Sequence, residues 1–145
     1  MSENARTQIK STLSLYDTLL CYTYSHRRND NLFGKITYEE ALAAVRQDGW
    51  ALEHVPSNLK TTELCLEAVR QDGWALELVP SNLKTAELCL ETVKLDGLAL
   101  LYVPDNLVTA ELCLIAVKQN GEAFAYVPEP LRNEVRAALK NGDRS

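Results

Sequence analysis

Hydrophobic and polar residues repeat along most of this chain with a period of 24 residues. A valine, a glycine and a proline each recur at that interval: Val45, Val69, Val93 and Val117; Gly49, Gly73, Gly97 and Gly121; Pro56, Pro80, Pro104 and Pro128. A fixed period of this size is the mark of a repeat architecture, in which each unit buries its apolar face against its neighbours. We therefore divide this region into repeats one to four, which span 37–60, 61–84, 85–108 and 109–132.

Each repeat begins with a segment that has the pattern of an amphipathic helix. In repeat two, Thr61 suits the N-cap, and Glu63 in the first turn faces the positive end of the helix dipole. Thr37 and Glu40 have the spacing of a capping box in repeat one. At roughly 100° per residue, one broad apolar arc of repeat two holds Leu64, Cys65, Ala68 and Val69. An arc this wide predicts a helix that contacts neighbours on two sides.

A shorter apolar segment follows in each repeat. In repeat two we expect Asp72-Gly73 to end the first helix, with the glycine in the left-handed conformation that is common after a helix. A second helix, α or 3₁₀, is predicted from about Trp74 to Val79, because Pro80 disfavours helical backbone in the residue before it. Leu83 is expected to fill a buried position in the turn that follows.

Two further helices are predicted at the ends of the chain. Residues 1–24 have an apolar face spaced at helical intervals, and a polar loop at 25–36 separates them from the repeats. The loop is interpreted as a solvated connector or, alternatively, as a binding element. Residues 133–145 leave the repeat register and suit a C-terminal cap. The sequence thus predicts a single all-α domain over 1–145, an α-solenoid of four 24-residue two-helix repeats with N- and C-terminal capping helices.

The net charge of the chain indicates which class of partner it favours. The chain of 145 residues has a net charge of −5, and the first 36 residues are net positive, so the acidic excess lies in the repeats. An acidic body disfavours nucleic acid and anionic membranes and favours a basic partner. We find neither a secretory signal nor an apolar run of about 18 residues, and we expect a cytoplasmic protein.

The residues that usually carry chemistry are few. Cys65, Cys89 and Cys113 fall on the repeat, and stacked helices hold equivalent positions roughly 10 Å apart, too far for a disulfide. We expect them to be buried hydrophobic side chains, with no metal and no cofactor. The two histidines, His26 and His54, form no evident set with a nucleophile and an acid. We therefore expect no catalytic residues and no enzyme activity.

The repeat unit resembles a known kind of repeat. Residues 63–84 read Glu-Leu-Cys-Leu-Glu-Ala-Val-Arg-Gln-Asp-Gly-Trp-Ala-Leu-Glu-Leu-Val-Pro-Ser-Asn-Leu-Lys. This unit is similar to the tandem bacterial domain-of-unknown-function repeats with the pattern A-V-x-x-[ND]-G-x-A-L-x-[FY], which implies a bacterial or phage-like source and no assigned activity. A weaker likeness is to the leucine-rich repeat variant, which alternates α and 3₁₀ helices, but the cysteine cluster of its iron–sulfur centre is missing here.

Comparison of the four repeats separates stacking positions from variable ones. The inward set of the second helix, Ala51, Leu52 and Val55 with their equivalents, is nearly constant. The outward set changes and is almost wholly apolar in repeat three, which is typical of an interface. We predict that a ridge on the second helices binds a protein partner through Trp50, His54, Trp74, Leu78, Leu98, Leu101, Tyr102 and Tyr126. Alternatively, the tryptophans only pack on adjacent repeats.

Two functions are consistent with these sequence patterns. One is a non-catalytic adaptor or scaffold that binds a protein, a second copy of the chain being one candidate, through the apolar ridge. The other is an inhibitor or immunity-type protein that neutralises a basic partner through its acidic surface. The periodic acids, such as Glu63 and Asp72, also have a structural explanation as charges at helix ends.

Overall fold

The computed structural model describes residues 36–142. The predicted helix at 1–24 and all but the last residue of the predicted loop at 25–36 lie outside this range. The described part contains helices and turns and no strand: α1 (Tyr38–Gln47), α2 (Thr62–Gln71), α3 (Ala86–Leu95), α4 (Ala110–Gln119) and α5 (Glu129–Gly142), with 3₁₀ helices between them. The prediction of an all-α fold built from tandem helical repeats is confirmed.

The first helix of every repeat begins at a threonine. The hydroxyl of Thr61 accepts a hydrogen bond from the backbone N–H of Leu64 at 3.2 Å, and the threonines of the other repeats cap their helices in the same way. Thr37 and Glu40 form the predicted capping box. These bonds satisfy backbone donors that have no partner within the helix, which fixes where each helix starts.

The same helices end on a residue that also starts the next element. The N–H of Asp48 donates to the carbonyl of Ala44 at the end of α1. Its carboxylate accepts a hydrogen bond from the N–H of Trp50 at 2.9 Å, and so caps the 3₁₀ helix that follows. Asp96 and Asn120 cap the following 3₁₀ helices through their side chains. The α-helix and the 3₁₀ helix are therefore joined by one residue, without a loop.

The glycines after these residues have a different role from the one predicted. Their backbone is not in the left-handed region, so that expectation is wrong. Instead, Gly49 lies against the carbonyl oxygen of Ala68 in the next repeat, only 2.5 Å from where a Cβ atom would stand. Gly97 approaches the carbonyl oxygen of Ala116 in the same way. Repeats one and three need glycine there because each packs backbone against backbone on the following repeat, whereas a Cβ at Gly73 would meet the side chain of Asp96.

The second helix of each repeat is a 3₁₀ helix of six residues. These long 3₁₀ helices span Gly49–His54, Gly73–Leu78, Gly97–Tyr102 and Gly121–Tyr126. Short 3₁₀ turns follow at Ser57–Leu59, Ser81–Leu83 and Asp105–Leu107. The leucine of each short turn is half-buried, not fully buried as predicted.

Repeat four departs from the others where the short turn would form. Leu131 donates its N–H to the carbonyl of Pro128 at 2.9 Å, as Leu107 does to Pro104 in repeat three. The chain then continues as α5, so the C-terminal helix starts at Glu129 and not at 133. Pro130 does not prevent this, because the first turn of a helix needs no backbone donor.

Two compact units divide the chain, one ending at Asp72 and the other beginning at Gly73. The single domain expected over 1–145 stays a prediction. In the first unit, α1, α2 and the long 3₁₀ helix of repeat one contact one another. In the second unit, α4 contacts α3, α5 and the long 3₁₀ helices of repeats three and four. No described helix has the length and apolar character needed to cross a membrane.

The core of each unit consists of the predicted inward positions. Cys65, Cys89 and Cys113 are fully buried, as expected, and none of them is in a disulfide. Charged pairs lie at the surface between repeats one and two. Glu67 accepts hydrogen bonds from Arg46 Nε at 3.0 Å and Arg70 Nη1 at 3.1 Å. The hydrogen bond from Arg46 is the main reason why the pKa of Glu67 lies below its ordinary value.

Candidate functional site

The long 3₁₀ helices sort their side chains by the period of three residues. In a 3₁₀ helix, residues three apart lie in one row along the helix. In repeat three, Gly97 and Leu100 form the buried row with Val103 just beyond it, and Ala99 is also buried. Leu98 and Leu101 form an outward row. Tyr102, three residues after Ala99, is half-buried at the end of the helix. We call the ridge the surface formed by the outward row and this last position of each long 3₁₀ helix.

The ridge of the second unit carries six of the eight predicted residues. The long 3₁₀ helix of repeat three contacts those of repeats two and four, so these residues share one surface. Leu101 is 48% exposed and Tyr126 is 40% exposed. The remaining four are half-buried: Trp74, Leu78, Leu98 and Tyr102.

An aromatic pair and a carboxylate join repeats two and three within this surface. The rings of Trp74 and Tyr102 meet edge to face, with centroids 5.6 Å apart and planes at 68°. The carboxylate of Glu77 lies near the hydroxyl of Tyr102. The pKa of Tyr102 is raised above its ordinary value, mainly by burial and next by the charge of Glu77. The hydroxyl therefore stays protonated, and so uncharged, at neutral pH.

The other two predicted residues belong to the first unit. Trp50 is 37% exposed, and its indole N–H donates to Asp72 Oδ2 at 2.8 Å. This bond ties repeat one to the end of α2, which supports the packing interpretation for this tryptophan. His54 is half-buried, with its Nε2 atom 4.0 Å from a carboxylate oxygen of Glu53.

Lys84 is part of the site, although we did not single it out from the sequence. Its ammonium donates to the backbone carbonyl of Tyr102 at 3.0 Å and so closes the end of the long 3₁₀ helix of repeat three. Burial lowers the pKa of Lys84, and the charge of Glu77 partly offsets this effect. Comparison of the repeats could have indicated this lysine. Lys60 occupies the equivalent position in repeat one, and repeat three has the apolar Val108 there.

A second apolar surface was also missed. A groove of about 330 Å³ lies between α3 and α4 and is lined by Leu90, Leu107 and Ile115, with Lys94 and Glu111 among its polar residues. Ile115 stands where repeats two and three have Glu67 and Glu91. That exchange of a charge for an apolar residue was visible in the sequence.

The buried cysteines are poor nucleophiles. Burial raises the pKa of Cys65 to about 11, and it shifts the pKa values of Cys89 and Cys113 in the same direction. These thiols stay protonated at neutral pH, and the thiolate is the reactive form. Within residues 36–142, no three His, Cys, Asp or Glu side chains are grouped closely enough to hold a metal ion.

Comparison with known proteins gives a family and no function. The family model described as "Domain of unknown function (DUF4116)" matches residues 38–84 and 86–133. No curated protein and no solved structure matches the chain significantly. Each match covers two of the 24-residue repeats, so one family unit corresponds to a pair of repeats. The matches cover more than half of the chain, which therefore belongs to the DUF4116 family and carries two tandem copies of its domain.

Proposed function

We propose that the protein is a non-catalytic protein-binding module that uses the ridge of its second unit. The observation that carries the proposal is the exposure of Leu101 and Tyr126 on neighbouring long 3₁₀ helices, beside the Trp74–Tyr102 pair. Scattered exposed leucines are ordinary on protein surfaces. Aromatic and aliphatic side chains gathered on one surface are typical of an interface, where they supply most of the binding energy.

The framework under the ridge supports this proposal. Trp74 and Tyr102 pack against each other, and Lys84 bonds to the backbone carbonyl of Tyr102. Aromatic side chains that are fixed before binding lose little conformational entropy when a partner arrives. The ridge is therefore suited to a preformed contact surface.

A second candidate is an inhibitor or immunity-type protein that neutralises a basic partner. The observation in its favour is the charge of the long 3₁₀ helices, which contain Glu53, Glu77 and Glu122 and no lysine or arginine. Ionic strength separates the two candidates. Binding through an acidic surface weakens steeply as salt is added, whereas a contact driven by the ridge changes only modestly.

Two leucines of repeat three allow a matched test. Leu101 is 48% exposed on the ridge, and Leu95 is 51% exposed at the end of α3. Glutamine is the natural residue at the positions equivalent to Leu95 in the other three repeats. Leu101→Gln and Leu95→Gln therefore remove similar exposed apolar groups without adding charge.

The experiment compares proteins captured from an extract of the source organism on the immobilised wild type and on each variant. The proposal expects a protein that is retained by the wild type and by Leu95→Gln and is lost with Leu101→Gln. Calorimetry with that purified protein then measures the loss directly. Ile115→Glu tests the groove between α3 and α4, since glutamate is native at the equivalent positions of repeats two and three. If Ile115→Glu removes binding and Leu101→Gln does not, the ridge proposal is wrong.

A further inference from the structure

We propose that the centre of the ridge receives an arginine side chain, flanked by apolar residues, from the partner protein. Glu77 would form an ion pair with the guanidinium, and the rings of Trp74 and Tyr102 would contact its flat face. This inference rests on the proposed function, because it names the chemistry of the segment that the ridge binds.

Glu77 is placed to receive a cation beside the aromatic pair. Its side chain is exposed and lies near the hydroxyl of Tyr102. Tyr102 in turn packs against Trp74 at 5.6 Å. A carboxylate beside two aromatic rings offers an ion pair and a cation–π contact to the same cation. Arginine fits better than lysine, because its planar guanidinium stacks on a ring while it bonds to a carboxylate.

The ridge of the second unit carries negative charge. The long 3₁₀ helices of the second unit contain Glu77 and Glu122 and no basic residue. Lys84 is close enough to Glu77 for its pKa to be affected, but its ammonium is bonded to the carbonyl of Tyr102 in a partly buried position. The carboxylates stay available at the surface, so a basic and apolar segment complements the ridge.

The protein already contains a contact between an arginine and an aromatic ring. The guanidinium of Arg136 in α5 lies over the ring of Phe124, 5.1 Å from its centroid. Phe124 belongs to the long 3₁₀ helix of repeat four. An arginine on an aromatic residue of a long 3₁₀ helix is thus compatible with the geometry of these repeats.

The test uses two capped tripeptides, leucyl-arginyl-leucine and its counterpart with glutamine at the centre. Isotope-labelled protein is titrated with each peptide, and NMR shifts of the Trp74 indole and of the amides of 97–102 give the two dissociation constants. We expect the arginine peptide to bind roughly five times more tightly, as an exposed ion pair with a cation–π contact provides. Glu77→Gln should bring this ratio close to one, since glutamine keeps the size of the side chain but carries no charge to pair with the guanidinium.

Glu87→Gln is the matched control. It makes the same change in net charge at an exposed position in the first turn of α3, and it should leave the ratio unchanged. If both peptides bind equally to the wild type, the arginine inference is wrong and the ridge proposal stands. If Glu77→Gln and Glu87→Gln lower the ratio equally, the preference comes from overall charge, and the inference is also wrong.

Two further outcomes have separate meanings. If neither peptide shifts the NMR signals of ridge residues, both the inference and the proposed function are wrong. Sedimentation measurements identify the partner as a different chain or as a second copy. Self-association that rises with concentration and is abolished by Glu77→Gln would overturn the assignment to a different protein.

Discussion

Replacing Gly49 with alanine tests the idea that adjacent repeats pack backbone against backbone. A Cβ atom at this position would stand 2.5 Å from the carbonyl oxygen of Ala68 and 3.3 Å from the backbone nitrogen of Asp72. A carbon–oxygen contact normally needs about 3.3 Å or more. The next repeat would therefore have to move by close to 1 Å, because the group in the way is backbone and cannot rotate aside.

The expected loss of stability in Gly49→Ala follows from comparison with the same substitution at Gly121. No atom lies within 4 Å of a Cβ built at Gly121, because repeat four has no following repeat of the same kind. Both substitutions reduce the conformational freedom of the unfolded chain, which stabilises a protein by about 0.4–1 kcal/mol. This gain in stability is the same for both substitutions, so it does not contribute to the difference between their free energies of unfolding. What remains is the steric cost, which we place near 3 kcal/mol, the upper part of the range for overpacking.

Thermal and urea unfolding, followed by circular dichroism, measure this difference. We expect Gly121→Ala to be as stable as the wild type or more stable, and Gly49→Ala to unfold at a temperature lower by roughly 10 °C. Gly97→Ala should resemble Gly49→Ala, since its Cβ would also meet a backbone carbonyl oxygen. Equal stability of the Gly49 and Gly121 variants would refute the packing argument.

Three other predictions concern polar groups. Gln119 bonds to the N–H of Gly97 at 2.7 Å and to the carbonyl of Leu95 at 3.0 Å, so Gln119→Ala should lower the free energy of unfolding by about 1–2 kcal/mol in urea titrations. A loss no greater than that of Gln71→Ala, at the equivalent position of repeat two, would contradict this role. The pKa of Glu67 is lowered in the folded protein, so its contribution to stability is present above its ordinary value of about 4.5 and is lost as the pH falls through the lowered value. Glu67→Gln should therefore flatten the fall of the urea midpoint in that acidic range, and an unchanged profile would argue against it. The raised pKa values of Cys65 and the other two buried thiols predict slow alkylation of the folded protein and rapid alkylation in urea, which peptide mass mapping detects; rapid labelling without urea would count against this.

Much of the fold could be predicted from the sequence, because its signals are local and repeated. A threonine fixes the start of every first helix, and an aspartate or asparagine fixes its end, so the ten-residue helices α1 to α4 follow from residue type and spacing. The period also separates buried from variable positions in the long 3₁₀ helices.

What the sequence could not provide depends on contacts between repeats. A glycine that avoids a steric clash and a glycine that adopts a left-handed backbone look the same in sequence, and Gly49 and Gly97 are of the first kind. The bond from Trp50 to Asp72 joins residues 22 positions apart, so local spacing does not reveal it. The link between Glu77 and Tyr102 is equally non-local.

The direct junction between the α-helix and the 3₁₀ helix has an evolutionary consequence. Asp48 serves both elements at once, and the glycine after it must meet a carbonyl of the following repeat. One inserted residue would move that glycine out of register, and there is no loop at the junction to absorb it. Such a gene should change length by duplication or loss of whole 24-residue segments, while its binding specificity evolves by point substitution on the outward row.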